Sequence, residues 1–342
     1  MTDKLYEKIK QYIKANLSFL IFLAILLVSF NIETNYSIYK PGGSINITKR
    51  IHVENINNDQ SKGSFNMAYV GMVKGKLPFY LIAQIIPNWE LIKNEDITYN
   101  DTETIQDSMK RDKLYYEESI SSAMYVAYKA SNTPFTIKNT KNYIIYVDER
   151  CTGDIKIGDE ILKYDDIPYQ DIKTLKEYIN SKKENEDITL DIKRGTHDIK
   201  TSVKIYKEED TLLIGLAATI IYDIDSDVNV SIDSKASESG PSGGLLLSLA
   251  IYDALVKEDI TKGYKIVGTG TIALDGTVGE IGGVKYKLAG AVKNKADIFI
   301  VPNENYNEAI EYAKKQKYDI IIKGVSSFEE TLKILGNLEV KK

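Results

Sequence analysis

Ser242, Lys285 and Lys287 are the side chains whose types and spacing are best suited to chemistry. Ser242 stands in Glu238-Ser239-Gly240-Pro241-Ser242-Gly243-Gly244, just before Leu245 to Val256, a run helical in length and composition. Free backbone N–H groups at a helix start can stabilise an oxyanion, and glycines let a substrate carbonyl approach the backbone closely. Alone, a serine in this place more often reads as an N-cap. Downstream come Gly268-Thr269-Gly270-Thr271-Ile272 and Gly276-Thr277-Val278-Gly279-Glu280-Ile281-Gly282-Gly283-Val284-Lys285-Tyr286-Lys287-Leu288. The last part predicts a helix on which the two lysines lie about 200° apart, so at most one faces a given site. Both fall at the rim of the apolar stripe, where a lysine is ordinarily solvated, and periodicity does not choose between them.

Other chemistry is poorly supplied. The chain has two histidines, His52 and His197, far apart and in polar segments, where surface or structural roles are expected. A histidine-based triad would have to use one of them. The single cysteine, Cys151, can form no internal disulfide or cysteine cluster and reads as a buried, inert thiol. The net charge of −5, without a recurrent basic patch, argues against a nucleic-acid partner. No G-x-x-x-x-G-K-[ST] sequence occurs, so no nucleotide is expected, and neither cofactor nor metal is called for.

The length of 342 residues allows two or three compact units. Leu17 to Ile32 is uncharged and, as a helix, would extend about 24 Å, slightly short of a hydrocarbon core of roughly 30 Å. Lys4, Lys8, Lys10 and Lys14 precede it, opposed only by Asp3 and Glu7. The positive-inside bias then keeps residues 1–16 cytoplasmic and places the bulk of the chain outside. Val28-Ser29-Phe30 fits signal cleavage poorly, so a retained anchor at 17–32 is expected. Residues 34–110 alternate in hydropathy as short strands do, Lys93 to Lys113 reads as a loop or exposed helix, and Glu117 to Tyr128 has helical spacing.

From Tyr143 to Tyr206 the order is strand, Gly-Asp turn in Ile155-Lys156-Ile157-Gly158-Asp159-Glu160-Ile161-Leu162, strand, amphipathic helix through Ile172, Leu175 and Ile179, then a hairpin turning at Gly195-Thr196. This order and the "IKIGDEIL" run resemble a PDZ domain, a family that binds extended peptides by strand addition. The resemblance places the peptide groove between the strand before Ile161 and the helix around Leu175.

Beyond Thr211, "ESGPSGG", "GTGTI", "DGTVGEIGGVKYKLAGA" and "KADIFIVPNEN" together resemble the proteolytic domain of the Lon family, and closely its subgroup with a membrane anchor and a PDZ domain. The resemblance makes Ser242 the nucleophile, Lys287 (second lysine of Gly-Gly-x-Lys-x-Lys) the base and Thr269 its support. The backbone at Gly240, Pro241 and Gly243 is implied in holding the oxyanion. A lysine can take the serine proton only when neutral, which its reference pKa of about 10.4 forbids in water near pH 7; burial can lower it by up to about 3–5 units. Two residues depart from the family pattern: Ser239 stands where an Asp is frequent, and Gly243 where Ala is usual.

The expected protein is therefore α+β: a cytoplasmic tail (1–16), a transmembrane helix (17–32), a β-rich extracytoplasmic segment (34–110), a PDZ domain with its preceding helix (111–207) and a Lon-type α/β proteolytic domain (211–340). It would be a single-pass cell-membrane serine endopeptidase, independent of ATP, acting on protein or peptide substrates. Homo-oligomer formation is compatible with this reading. The alternative is a catalytically silent PDZ scaffold that binds partner termini at the membrane.

Overall fold

A computed structural model describes residues 2–54 and 62–341. The chain divides into two compact units, residues 1–41 with 71–97, and residues 42–70 with 98–342.

The first unit opens with helices α1 (Thr2–Ala15) and α2 (Leu17–Ser29), followed by strand β1 (Glu33–Asn46), whose last residues belong to the second unit. Among the described residues no single helix is long and apolar enough to cross a membrane. Leu5–Ala15 and Leu17–Ser29 form a pair bent by 73° that satisfies length and composition only together. The uninterrupted helix expected over 17–32 is thus shorter, ending at Ser29, and no residue of α2 is buried.

Strands β2 (Ile51–Val53) and β3 (Ser64–Lys76) follow, then helix α3 (Leu77–Ala83) and strand β4 (Glu90–Lys93). In the first unit β4 runs antiparallel to β1, Tyr36 opposite Lys93 and Tyr39 opposite Glu90.

The second unit continues with α4 (Ile105–Ala130), whose first turn is closed by a capping box between Thr104 and Asp107. This helix begins twelve residues before the expected Glu117, because its polar start hides a buried Arg111 paired with Glu103 and stacked 3.6 Å from the Tyr99 ring. Next come β5 (Thr136–Val147), β6 (Glu160–Tyr164), β7 (Ile167–Pro168), α5 (Ile172–Asn180), β8 (Asp187–Arg194) and β9 (His197–Lys204). The short β10 (Tyr206–Glu208) and β11 (Thr211–Leu213) form a hairpin, after which β12 (Leu216–Asp225) returns along β5.

These strands make a sheet in the order β12-β5-β6-β8-β9, with β7 beside β6. Ile188, Leu190 and Ile192 alternate along β8 into a core shared with Leu175 and Ile179 of α5. Its Gly-Asp turn is held from inside: Asp159 is fully buried and accepts from Arg194 Nε at 2.9 Å and Nη2 at 2.8 Å. Gly158 takes φ +88°, which suits glycine. Strand β12 is half-buried, because it forms one edge of this sheet.

The remaining elements are β13 (Val230–Ile232), α6 (Gly244–Leu255), β14 (Lys265–Gly268), α7 (Val284–Lys293), β15 (Ile298–Pro302), α8 (Asn303–Gln316), β16 (Ile321–Val325) and α9 (Phe328–Gly336). Strands β16, β15, β14 and residues 64–67 of β3 lie side by side and parallel. Alternate residues supply two cores. Ile266, Ile298 and Ile300 pack with Leu245 to Ile251 of α6, Ala123 to Tyr128 of α4 and Phe328 of α9. Val267, Phe299 and Val301 face Val284 and Leu288 of α7 and Ala309 of α8. This double coverage is what a parallel sheet requires.

The carboxy-terminal half of α4 packs in the α6 core. Ile47, Ile51, Val53, Phe65 and Met67 enter that same core, and β2 pairs with β13.

Candidate active site

Ser242 immediately precedes Gly243, the N-cap of α6, and is partly exposed. Its backbone carbonyl accepts from Gly270 N–H at 2.8 Å and from Thr269 Oγ1 at 2.9 Å. Thr269 follows the last residue of β14 and is fully buried. Its hydroxyl also accepts from Lys287 Nζ at 3.1 Å. The three residues therefore meet at the carboxy ends of the parallel strands, the usual binding edge of such sheets. Among the described residues no hydrogen bond joins Ser242 Oγ directly to Lys287 Nζ.

Burial separates the two lysines that periodicity could not. Lys287 is 4% exposed, and burial lowers its amine from 10.5 to about 7. Lys285 stays at the rim, its amine 5.0 Å from the centre of the Tyr286 ring.

Gly240 adopts φ +84°, and its N–H donates to Asp112 O at 2.7 Å, so it is already engaged; Pro241 has no N–H. Of the three backbone positions singled out from sequence, Gly243 keeps an N–H with no partner among the described residues, as does Ser242 itself. A Cβ at Gly243 would overlap Met67 Sδ, so an alanine there requires the methionine side chain to move.

Sequence reasoning missed the clamp on this loop. Glu238 is buried and binds Arg50 Nη1, Tyr116 Oη at 3.1 Å and the Lys235 N–H at 3.1 Å. Burial alone would raise its carboxyl, but the bonds from Arg50, Lys235 and Tyr116 hold it below the usual range. The identity of "ESGPSGG" gave no sign of this, since Arg50 lies 188 positions away. The His52 ring bonds to Asp233 at 2.9 Å and is exposed, as is His197. Cys151 is half-buried, and burial pushes its thiol up.

On the other sheet, a cavity of about 290 Å³ lies along α5. It is lined by Ile172, Leu175 and Ile179 of that helix, by Tyr146 on β5, the strand before Ile161, and by Ile214, Gly215 and Leu216. The groove thus reaches the start of the edge strand β12, which runs along β5.

Two domain models match the sequence, a PDZ domain followed by a Lon-type proteolytic domain. Residues 217–337 match the family model of the Lon protease (S16) C-terminal proteolytic domain, and residues 135–205 that of the PDZ domain. The chain is similar to the Lon protease of Buchnera aphidicola, 34% identical over 109 residues, covering 32% of this chain and 14% of that one. It is similar also to Lon protease 1 of Thermus thermophilus, 31% identical over 145 residues, covering 42% and 17%. The chain thus spans under a fifth of the length of these curated relatives. Among solved structures, the PDZ domain of the SdrC-like protein from Listeria monocytogenes matches 24% of this chain and 92% of its own, at 19% identity and a TM-score of 0.22.

Proposed function

We propose that the protein is a membrane-anchored, ATP-independent serine endopeptidase in which Ser242 is the nucleophile and Lys287 its base. The observation that carries this reading is the buried Lys287 amine, lowered to about 7 and tied through Thr269 to the backbone of Ser242. Near neutral pH about half of such amines are neutral and able to accept a proton. Lys287 takes the Ser242 proton as Oγ attacks a peptide carbonyl; the protonated amine then returns it to the leaving nitrogen. The resulting acyl-enzyme is hydrolysed by water activated by the same lysine. The Ser242 and Gly243 N–H groups are the donors free to hold the oxyanion. Direct contact between Oγ and Nζ is expected to tighten once substrate is bound, as in other unliganded sites.

Helix α2 is the proposed anchor: it is uncharged and unburied, with residues 1–16 cytoplasmic. The groove along α5 is proposed to select substrates by strand addition at β12. Without a nucleotide-driven unfolding step, substrates would be unfolded, flexible or close to the membrane. The test is incubation of the full chain in detergent with an unfolded protein beside Ser242→Ala. Equal cleavage by both would refute the assignment of the nucleophile.

A further inference from the structure

Between Lys76 and Glu90 the chain reads Leu77-Pro-Phe-Tyr-Leu-Ile-Ala-Gln-Ile-Ile-Pro-Asn-Trp89 without a single charge. It folds as α3 and the turns that follow, within the first unit. Here Leu81, Ile82, Ile85 and Ile86 are 54%, 42%, 83% and 38% exposed, an apolar cluster that a water-facing surface does not call for.

The segment is fastened to the exit end of α2. The Leu77 N–H donates to Ile32 O at 2.9 Å, and the Phe79 ring meets Phe30 edge-on at 5.7 Å. Tyr80 packs on Tyr36 at 5.3 Å, and Lys40 lies 4.8 Å over the Trp89 ring. Tyrosine and tryptophan beside lysine are the side chains that settle at a headgroup boundary. The length of α2 points the same way. Its 13 residues extend about 20 Å, against roughly 30 Å of hydrocarbon, so apolar depth is left to fill where Phe30 and Ile32 emerge.

We propose that residues 77–89 are a second membrane contact, seated in the headgroup and acyl-chain boundary of the leaflet that α2 exits. The contact rests on the anchor reading of α2. Two contacts would restrict how the first unit tilts on the membrane, where α2 alone leaves it free to swivel.

The chain's single tryptophan, Trp89, is a built-in reporter. The full chain is reconstituted in phosphatidylcholine–phosphatidylglycerol vesicles containing lipids brominated near the headgroup end of the acyl chains or near their middle. Trp89→Phe is combined with Ile85→Trp to probe the cluster, or with Phe22→Trp to probe α2; both sites are exposed, so neither change disturbs packing. The proposal expects the Ile85 probe to lose most of its emission to shallow bromines, native Trp89 to follow it, and the Phe22 probe to respond to deep ones. Quenching of the Phe22 probe with none at Ile85 overturns the second contact and leaves the anchor standing. No quenching at either overturns both. An Ile85 probe shielded from acrylamide yet untouched by brominated lipid overturns the proposal in favour of a covering protein surface.

Discussion

Lys287 Nζ and Thr269 Oγ1 are joined by a buried hydrogen bond of 3.1 Å, and the same hydroxyl donates to the carbonyl of Ser242 at 2.9 Å. The hydroxyl thus sets the position of the amine relative to the nucleophile's own peptide. Thr269→Val should remove both bonds, lower kcat by about 10²-fold or more, and destabilise by about 1–3 kcal/mol through the amine left unpaired, the carbonyl keeping its bond from Gly270 N–H. Thr269→Ser should restore most of the activity, which a purely packing role for the threonine would not permit. Steady-state kinetics with thermal unfolding of the three forms checks this.

A buried lysine also affects stability, with a definite sign. Between about pH 7 and 10.5 the unfolded side chain is protonated and the folded one neutral, so stability from this group rises with pH across that window. Below about 7 both forms carry the proton and the cost of burying the charge is at its maximum, about 5 kcal/mol at roughly 1.36 kcal/mol per pH unit. Lys287→Met should therefore stabilise the inactive protein, most at pH 6 and least near pH 10. Denaturant midpoints at the two pH values measure it; an equal gain at both contradicts the lowered amine.

The glycine after the nucleophile makes a separate prediction. Gly243→Ala should impair activity and stability because its Cβ meets Met67 Sδ. Met67→Ala alone should cost about 2–5 kcal/mol as a cavity, and combining the two should recover part of both losses. A double-mutant cycle showing strict additivity would rule out the contact.

The clamp on the nucleophile loop predicts an acid limit. The Glu238 carboxyl is held low in the folded protein, so its stabilisation is complete above the unfolded value and is lost as pH falls through the folded one. Glu238→Gln should weaken the Arg50 pair, flatten acid unfolding below pH 4.5 and lower kcat without changing the pH midpoint of activity. A shift of that midpoint would mean that Glu238 acts on Lys287 directly.

The residues of the candidate site are legible in the sequence because their signals are local: Ser242, Thr269 and Lys287 each sit in a short glycine-marked motif. Choosing Lys287 over Lys285 needed the resemblance or the structure, since a helical wheel registers spacing, not the depth of the neighbours. The PDZ domain and its Gly-Asp turn were readable for the same local reason. Pairings between distant segments were not. Strand β3 lies beside β14, Lys265 opposite Ser64, and Arg50 reaches Glu238; neither leaves a periodic trace. The start of α4 was missed because Arg111 and Glu103 look solvated by type, and only tertiary pairing buries them.

The most direct test of the central claim is the pH dependence of kcat/KM for one unfolded substrate, from pH 5 to 10, with the full chain and its Lys287→Arg, Lys285→Arg, His52→Ala and His197→Ala forms. A single rise with a midpoint near 7 is expected for the parent, for Lys285→Arg and for both histidine variants. Lys287→Arg should be inactive throughout, because a guanidinium keeps its proton over this range. Activity surviving in Lys287→Arg, or lost in a histidine variant, would contradict the Ser242–Lys287 assignment.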